Sequence, residues 1–229
     1  MQLTTIDIET APKPRASIII LHGLGADGSD FIPFCQELDF SEVPGLGEDG
    51  GLRCVLPSAP VMPVSINGGY QMRAWYDILP TNDPARREDE ASLRRSHLAI
   101  NALLERETQR GIAAEHIVLM GFSQGSAMAL MTGLRFAHKL AGIVALSGYL
   151  PLPQFTQAEQ DAANQATPIF MAHGRDDDVV QMSRGLRSRE QLLEMGYAVE
   201  WHAYDMDHSL CLEEVRDINQ YLLRVLSPA

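Results

Sequence analysis

A serine, a run of acids and a histidine, residue types that together can cleave an acyl bond by nucleophilic attack, follow one another along this sequence. Ser123 stands in Gly121-Phe122-Ser123-Gln124-Gly125, between the apolar run Ile117-Val118-Leu119-Met120 and the helix-forming run Ser126-Ala127-Met128-Ala129-Leu130-Met131. Strand, sharp turn and helix are the expected local structures, and G-x-S-x-G in that setting thrusts the serine Oγ out at the carboxyl edge of a sheet. The two glycines let the backbones approach where side chains at 121 and 125 would face each other. The bland alternative is a glycine-rich turn whose serine merely caps the helix. A serine hydroxyl is a weak nucleophile until a base takes its proton, and the base needs an acid to fix its tautomer. Downstream, Asp176-Asp177-Asp178 and then His208 supply acid and base in that order.

Several histidines compete for the role of base. His173 ends a strand just before the acids, and His202 lies inside the last strand, where its side chain is committed to a sheet face. His208 sits in the polar segment Asp205-Met206-Asp207-His208-Ser209, free to reach over the serine. His138 follows the elbow helix too closely to fold back over Oγ, and His22 precedes the nucleophile and is expected to shape its own glycine loop. His97 and His116 read as packing or exposed residues. On residue type and order alone, any of Asp176, Asp177 and Asp178 can serve as the acid.

Charge that develops on the carbonyl oxygen needs donors. The N–H of Gln124, next to the nucleophile, and an N–H from the loop after an early strand are the expected pair. Leu24, in His22-Gly23-Leu24-Gly25, fits the second place, because only its amide is used and the flanking glycines permit the turn. Gly23-x-Gly25-x-x-Gly28 also matches a dinucleotide-binding pattern. No acid-tipped second strand follows about 20 residues on, so that reading is set aside.

These groups need a scaffold, and the hydrophobic pattern supplies one. Ser17–Leu21, Arg53–Leu56, Ile117–Met120, Gly142–Leu146, Pro168–Ala172 and Ala198–Tyr204 read as strands, several of them apolar throughout, as strands covered on both faces are. Helices are expected around Phe31, Phe34, Cys35 and Leu38 with Ser29 or Asp30 as cap, over 88–110, after the serine, around Met182–Met195, and at the C-terminus with Val215, Ile218, Leu222 and Val225 on one face. The glycine-rich acidic stretch 43–51 reads as a loop. Pro57, Pro60, Pro63, Gly68 and Gly69 predict irregular structure up to Gln71, although Met62, Ile66, Tyr70, Met72, Trp75 and Tyr76 must either pack on the body or line a pocket. Pro84 stops the segment before the long helix, where Arg86, Arg87, Arg94 and Arg95 alternate with acids on a solvated face. Alternating strands and helices predict an α/β domain spanning 1–229, with a mainly parallel sheet, helices on both faces, and a site beyond the carboxyl ends of the strands.

Composition narrows the function classes. The chain has 229 residues, 45% of them hydrophobic, enough for a full core in one domain. A net charge of -12 and no basic run argue against nucleic acid as partner. Cys35, Cys54 and Cys211 lack C-x-x-C spacing, so no disulfide framework and no zinc site are expected, and a reducing compartment fits. The first residues lack a signal-peptide pattern and no apolar run reaches about 18 residues, so a cytoplasmic location without a membrane span is expected.

Taken together, His22-Gly23-Leu24-Gly25 with Asp27-Gly28, Pro57-Ser58-Ala59-Pro60, Asn67-Gly68-Gly69, Met72-Arg73-Ala74-Trp75-Tyr76-Asp77, the elbow, Leu146-Ser147-Gly148-Tyr149-Leu150-Pro151, and His173-Gly174 with Asp177 resemble the phospholipase/carboxylesterase family. The likeness runs from about Ser17 to the C-terminal helix. It implies an α/β-hydrolase fold, Ser123 as nucleophile, Asp177 as acid, His208 as base, and the Leu24 and Gln124 amides as oxyanion donors. It also implies that the loop carrying Met72, Trp75 and Tyr76 lies beside the substrate cleft. The family usually has proline after its acid, whereas Asp178 stands here, so Asp177 rests on its spacing from His173-Gly174. The expected enzyme needs no metal or other cofactor and hydrolyses short to medium acyl esters. The family also includes acyl-protein thioesterases, which makes an acylated protein the alternative substrate. Family members are often dimers, and a homodimer is left open. A non-catalytic binding protein on the same fold is the remote alternative, and a dienelactone-type hydrolase is disfavoured because its elbow normally carries cysteine.

Overall fold

The computed structural model describes residues 2–38, 40, 51–81 and 87–227. Its elements in chain order are β1 (Thr4–Glu9), β2 (Ala16–Leu21), α1 (Ile32–Glu37), β3 (Leu52–Ser58), β4 (Val61–Val64), β5 (Tyr70–Arg73), β6 (Ile78–Leu79), β7 (Arg87–Glu88), α2 (Glu90–Gln109), β8 (Ile117–Phe122), α3 (Gln124–Gly133), β9 (Gly142–Leu146), α4 (Pro153–Glu159), β10 (Ile169–Gly174), α5 (Met182–Glu194), β11 (Val199–Tyr204) and α6 (Leu212–Leu226). Seven strands form one sheet in the order β1-β3-β2-β8-β9-β10-β11. Only β1 runs antiparallel to its neighbour, pairing Thr4 with Ser58 and Glu9 with Arg53.

The expected α/β architecture with a mainly parallel sheet is present, and burial explains it. Every residue of β2 is buried. Ile19 and Leu21 pack on the face covered by α2, α3 and α5, while Ile18 and Ile20 pack on the face covered by α1 and α6. A strand apolar on both faces is stable only where helices shield both.

Two local expectations are corrected, and one strand was not anticipated. Asp27, and not Ser29 or Asp30, caps the turn before α1: its carboxylate accepts the Ser29 N–H at 2.8 Å, and Asp30 reaches back to the Asp27 N–H at 3.4 Å. The proline-rich stretch is not irregular, since β4 and β5 form an antiparallel hairpin in register from Val61–Arg73 to Val64–Tyr70. Pro63 is tolerated within it because a two-stranded ribbon has edges where a missing N–H is harmless, while Pro57 lies in β3 and Pro60 between β3 and β4. The strand β1 was not expected: it has no continuous apolar run, its burial does not alternate strictly, and it lies at the sheet edge. The acidic stretch 43–50, Pro84, Arg86 and the side chain of Arg87 lie outside the described residues.

One of the two elbow glycines has a different neighbour from the one the sequence suggested. A Cβ on Gly121 would sit 2.1 Å from the Gly125 carbonyl oxygen, as expected for strand against helix. A Cβ on Gly125 would sit 2.0 Å from the Leu21 carbonyl oxygen, so this glycine presses α3 onto the end of β2 instead. The contact brings the loop after β2 next to the serine turn.

Candidate active site

Ser123 joins β8 to α3 with φ 56° and ψ -117°, a conformation costly for a residue with a Cβ. The surroundings hold it there: the Ser123 N–H donates to the Leu146 carbonyl at 2.9 Å, and its own carbonyl accepts the Ala127 N–H at 3.2 Å. Behind the turn, Gly148 packs so closely that a Cβ would come within 2.4 Å of the Ser126 hydroxyl.

His208, from the loop between β11 and α6, reaches over this turn. Its Nε2 lies 2.9 Å from Ser123 Oγ, and its Nδ1 lies 2.7 Å from Asp177 Oδ2. The other carboxylate oxygen of Asp177 accepts the Val179 N–H at 3.0 Å and the Val180 N–H at 2.7 Å. Asp177 is buried, while Asp176 and Asp178 point into solvent. The Phe122 ring lies 4.8 Å from the His208 ring, centroid to centroid, and backs the imidazole. Such a hydrogen-bonded chain can move a proton from Oγ to Nε2 and steady the imidazolium that results.

Three of the other histidines have structural partners that tie down the backbone or the core. His22 is buried, donates from Nδ1 to the Gly23 carbonyl at 2.7 Å, and accepts the Ala59 N–H at Nε2, 2.9 Å away. Burial holds its pKa below the ordinary value, which suits a neutral ring tying the glycine loop to the strand end. His173 is likewise depressed by burial and donates to the Val180 carbonyl at 2.6 Å, fixing the turn that carries Asp177. His97 meets the Thr132 hydroxyl at 3.2 Å, and burial pushes its pKa down to about 4.

Gln124 opens α3, so its N–H has no intrahelical acceptor. Leu24 sits in the turn between Gly23 and Gly25, where the Gly25 N–H is already bound to the Arg73 carbonyl at 2.8 Å. Both loops border Ser123. Sequence reasoning missed the Gln124 side chain, which is buried, accepts the Trp75 N–H at 3.0 Å and donates to the Tyr76 carbonyl at 3.0 Å. An N-terminal helix glutamine facing an irregular loop was the only signal available.

Ser123 and His208 open into a cleft of about 530 Å³, walled on one side by Leu24, Phe31 and Phe34 and on the other by Leu210, Leu212 and Val215. Trp75, Tyr76 and Met72 are not among its lining residues, which corrects their assignment to the cleft wall, although their loop adjoins the Leu24 turn through the bond from the Gly25 N–H to the Arg73 carbonyl. Trp75 and Tyr76 are fully buried. Trp75 Nε1 donates to the His22 carbonyl at 2.8 Å, Ser96 Oγ donates to the Trp75 carbonyl, and the Tyr76 and Tyr149 hydroxyls share a hydrogen bond at 2.7 Å. Met72, half-buried on β5, takes a weak bond from the Asn67 amide at 3.5 Å. Burying these large rings against the body releases more free energy than leaving them on a cleft wall, so the loop braces the elbow.

One buried acid stands below the site. Glu214, in the first turn of α6, is shut off from solvent, and no partner at full hydrogen-bond geometry meets its carboxyl oxygens. Burial raises its pKa to about 8, and the Cys211 backbone offsets this only in part. A carboxyl whose folded pKa exceeds its unfolded one favours the protonated, folded state, so its contribution to stability is full below the unfolded value and is lost as pH rises to about 8. Urea midpoints should therefore fall between pH 5 and 8, and Glu214→Gln should flatten that fall. An unaltered slope would contradict it.

Among the described residues, no helix is long and apolar enough to cross a membrane, and no group of three or more His, Cys, Asp or Glu residues is placed to hold a metal ion.

Against known proteins, the sequence profile described as Phospholipase/Carboxylesterase matches residues 5–226. Acyl-protein thioesterase 1 of Neurospora crassa is 41% identical over 222 residues, covering 94% of this chain and 89% of that protein. Among solved structures, Arabidopsis thaliana SOBER1 superposes with a TM-score of 0.85 at 30% identity, covering 93% of this chain and 100% of that one. Zea mays acyl-protein thioesterase 2 superposes with a TM-score of 0.83 at 27% identity, covering 98% and 99%.

Proposed function

The chain belongs to the phospholipase/carboxylesterase family of serine hydrolases, and from that premise we propose that it cleaves apolar acyl esters through an acyl-enzyme on Ser123. The observation that carries this reading is the hydrogen-bonded chain Asp177–His208–Ser123 opening into an apolar cleft. His208 Nε2 takes the Oγ proton as Oγ attacks the carbonyl carbon. The oxyanion gathers on the Leu24 and Gln124 N–H groups, which aim at the place where charge develops. His208 then gives its proton to the leaving oxygen or sulfur, and the acyl group stays on Oγ. Water enters, gives its proton to His208 and attacks the ester. Collapse returns the hydrogen to Ser123 and frees the acid.

A carboxylesterase for short to medium chains and an acyl-protein thioesterase share these steps. The name carried by the Neurospora crassa relative favours an acylated protein as the natural substrate, and a cleft that binds apolar groups serves either. No step in the scheme calls for a metal or an organic cofactor.

The test is a panel of p-nitrophenyl esters from acetate to decanoate, with an S-acylated peptide and its matched oxygen ester alongside. Turnover should rise about fourfold in kcat/KM per added methylene until the cleft is full. A thioester rate well above the matched ester rate would assign the natural substrate to S-acylated protein. Folded protein inert on the whole panel, and unlabelled by a fluorophosphonate, would refute the hydrolase mechanism.

A further inference from the structure

The two walls of the cleft come from different parts of the chain, and the strand order separates their origins: β2, which leads into the first, flanks β8 on one side, and β11, which leads into the second, lies beyond β9 and β10 on the other. One wall, Phe31 and Phe34, belongs to the turn and short helix that follow the Leu24 loop. The other, Leu210, Leu212 and Val215, belongs to the segment that begins two residues after His208. The chemistry makes these sides unequal. His208 Nε2, 2.9 Å from Oγ, must also come within hydrogen-bond reach of the leaving atom to protonate it. The carbonyl oxygen is drawn instead toward the Leu24 and Gln124 amides.

We infer that the α6 wall reads the leaving group and the α1 wall reads the acyl chain, so that the preferred substrates carry apolar surface on both sides of the scissile bond. The inference rests on the proposed roles of Ser123 and His208. Exposure supports it: Leu212 is 72% exposed and Val179, two residues after Asp177, is 45% exposed, and both line the cleft. An apolar leaving group that covers them removes this surface from water, whereas a polar alcohol would leave it wet. The substrate class is accordingly an ester of an apolar alcohol, or a thioester whose cysteine lies among apolar residues.

The experiment measures kcat/KM by pH-stat on ethyl acetate, hexyl acetate, ethyl octanoate and hexyl octanoate. Wild type should prefer hexyl to ethyl and octanoate to acetate. Leu212→Ser should cut the hexyl-over-ethyl preference about tenfold and leave octanoate-over-acetate within about twofold, and Phe34→Ala should do the reverse. Phe34→Leu stands in if the alanine variant unfolds, and Leu193→Ser, at an exposed leucine of α5, controls for general surface effects. Absence of an alkyl preference in wild type, equal loss of both preferences in Leu212→Ser, or loss of only the acyl preference there would each overturn the assignment. Ser123-dependent turnover of ethyl acetate separates such a result from failure of the hydrolase mechanism itself.

Discussion

Ser123→Ala loses at least about four orders of magnitude in kcat on p-nitrophenyl butyrate, while its urea unfolding curve overlays that of the parent. The size follows from the role: without Oγ no acyl-enzyme forms, and only the oxyanion donors and binding remain. The intact fold follows from the geometry. The Ser123 N–H and carbonyl hold the turn through Leu146 and Ala127, and these backbone bonds survive loss of the hydroxyl. Alanine must adopt the same φ of 56°, at a strain close to that serine already bears. KM should change little, because the cleft walls are untouched. Full activity in folded Ser123→Ala protein would remove the serine from the mechanism and leave the cleft as a binding site.

Asp177→Asn should cost about 10⁴ in kcat with little change in stability, as loss of the orienting acid does in other serine hydrolases. The direction can be worked out atom by atom. Oδ1 of Asp177 accepts two backbone N–H groups, from Val179 and Val180, so the oxygen of an asparagine is held on that side. Its NH₂ then faces His208 Nδ1, 2.7 Å away, and can bond only if Nδ1 carries no proton. The neutral imidazole is thereby fixed with its proton on Nε2, the atom that must accept the serine proton. Asp176→Asn and Asp178→Asn should stay within about twofold of wild type, since both side chains point to solvent. A pH profile separates tautomer loss from collapse of the site, because a trapped tautomer regains part of its rate when a stronger base is supplied by the medium at high pH. Loss in Asp178→Asn equal to that in Asp177→Asn would show that the solvent-facing acid takes part.

How far each residue was legible in the sequence depended on whether its role is local. Ser123 announced itself because the elbow is built within five residues, with glycine required where β8, α3 and β2 converge. The sheet was legible because strands buried on both faces must be apolar throughout, and β2, β8 and β9 are. Residue order narrowed the acid to three neighbouring aspartates, and a family resemblance was needed to prefer one. What distinguishes Asp177 physically is that β10 ends where His173 and the Val179 and Val180 amides turn it inward, which is a property of a folded loop. The strand β1 was silent because an edge strand needs neither a continuous apolar run nor strict alternation.

The cleft was the part that only tertiary structure decided. Apolar residues in an irregular loop have two outlets, packing on the body or lining a pocket, and composition is the same for both. Gln124, His22 and Ser96 bind the backbone and ring of Trp75 and draw its loop into the core. The cleft walls came from faces that the sequence marked only as helical packing surfaces, Phe31 and Phe34 on one side and Val215 on the other. Sequence by itself marked the serine turn, the order of the candidate reacting groups and the sheet, since the turn and the sheet depend on backbone sterics and strand burial and the order is read directly. Which apolar faces are left open beside Ser123 depends on how distant helices meet across the sheet, and hydrophobic burial, being non-directional, does not write that into any one stretch of chain.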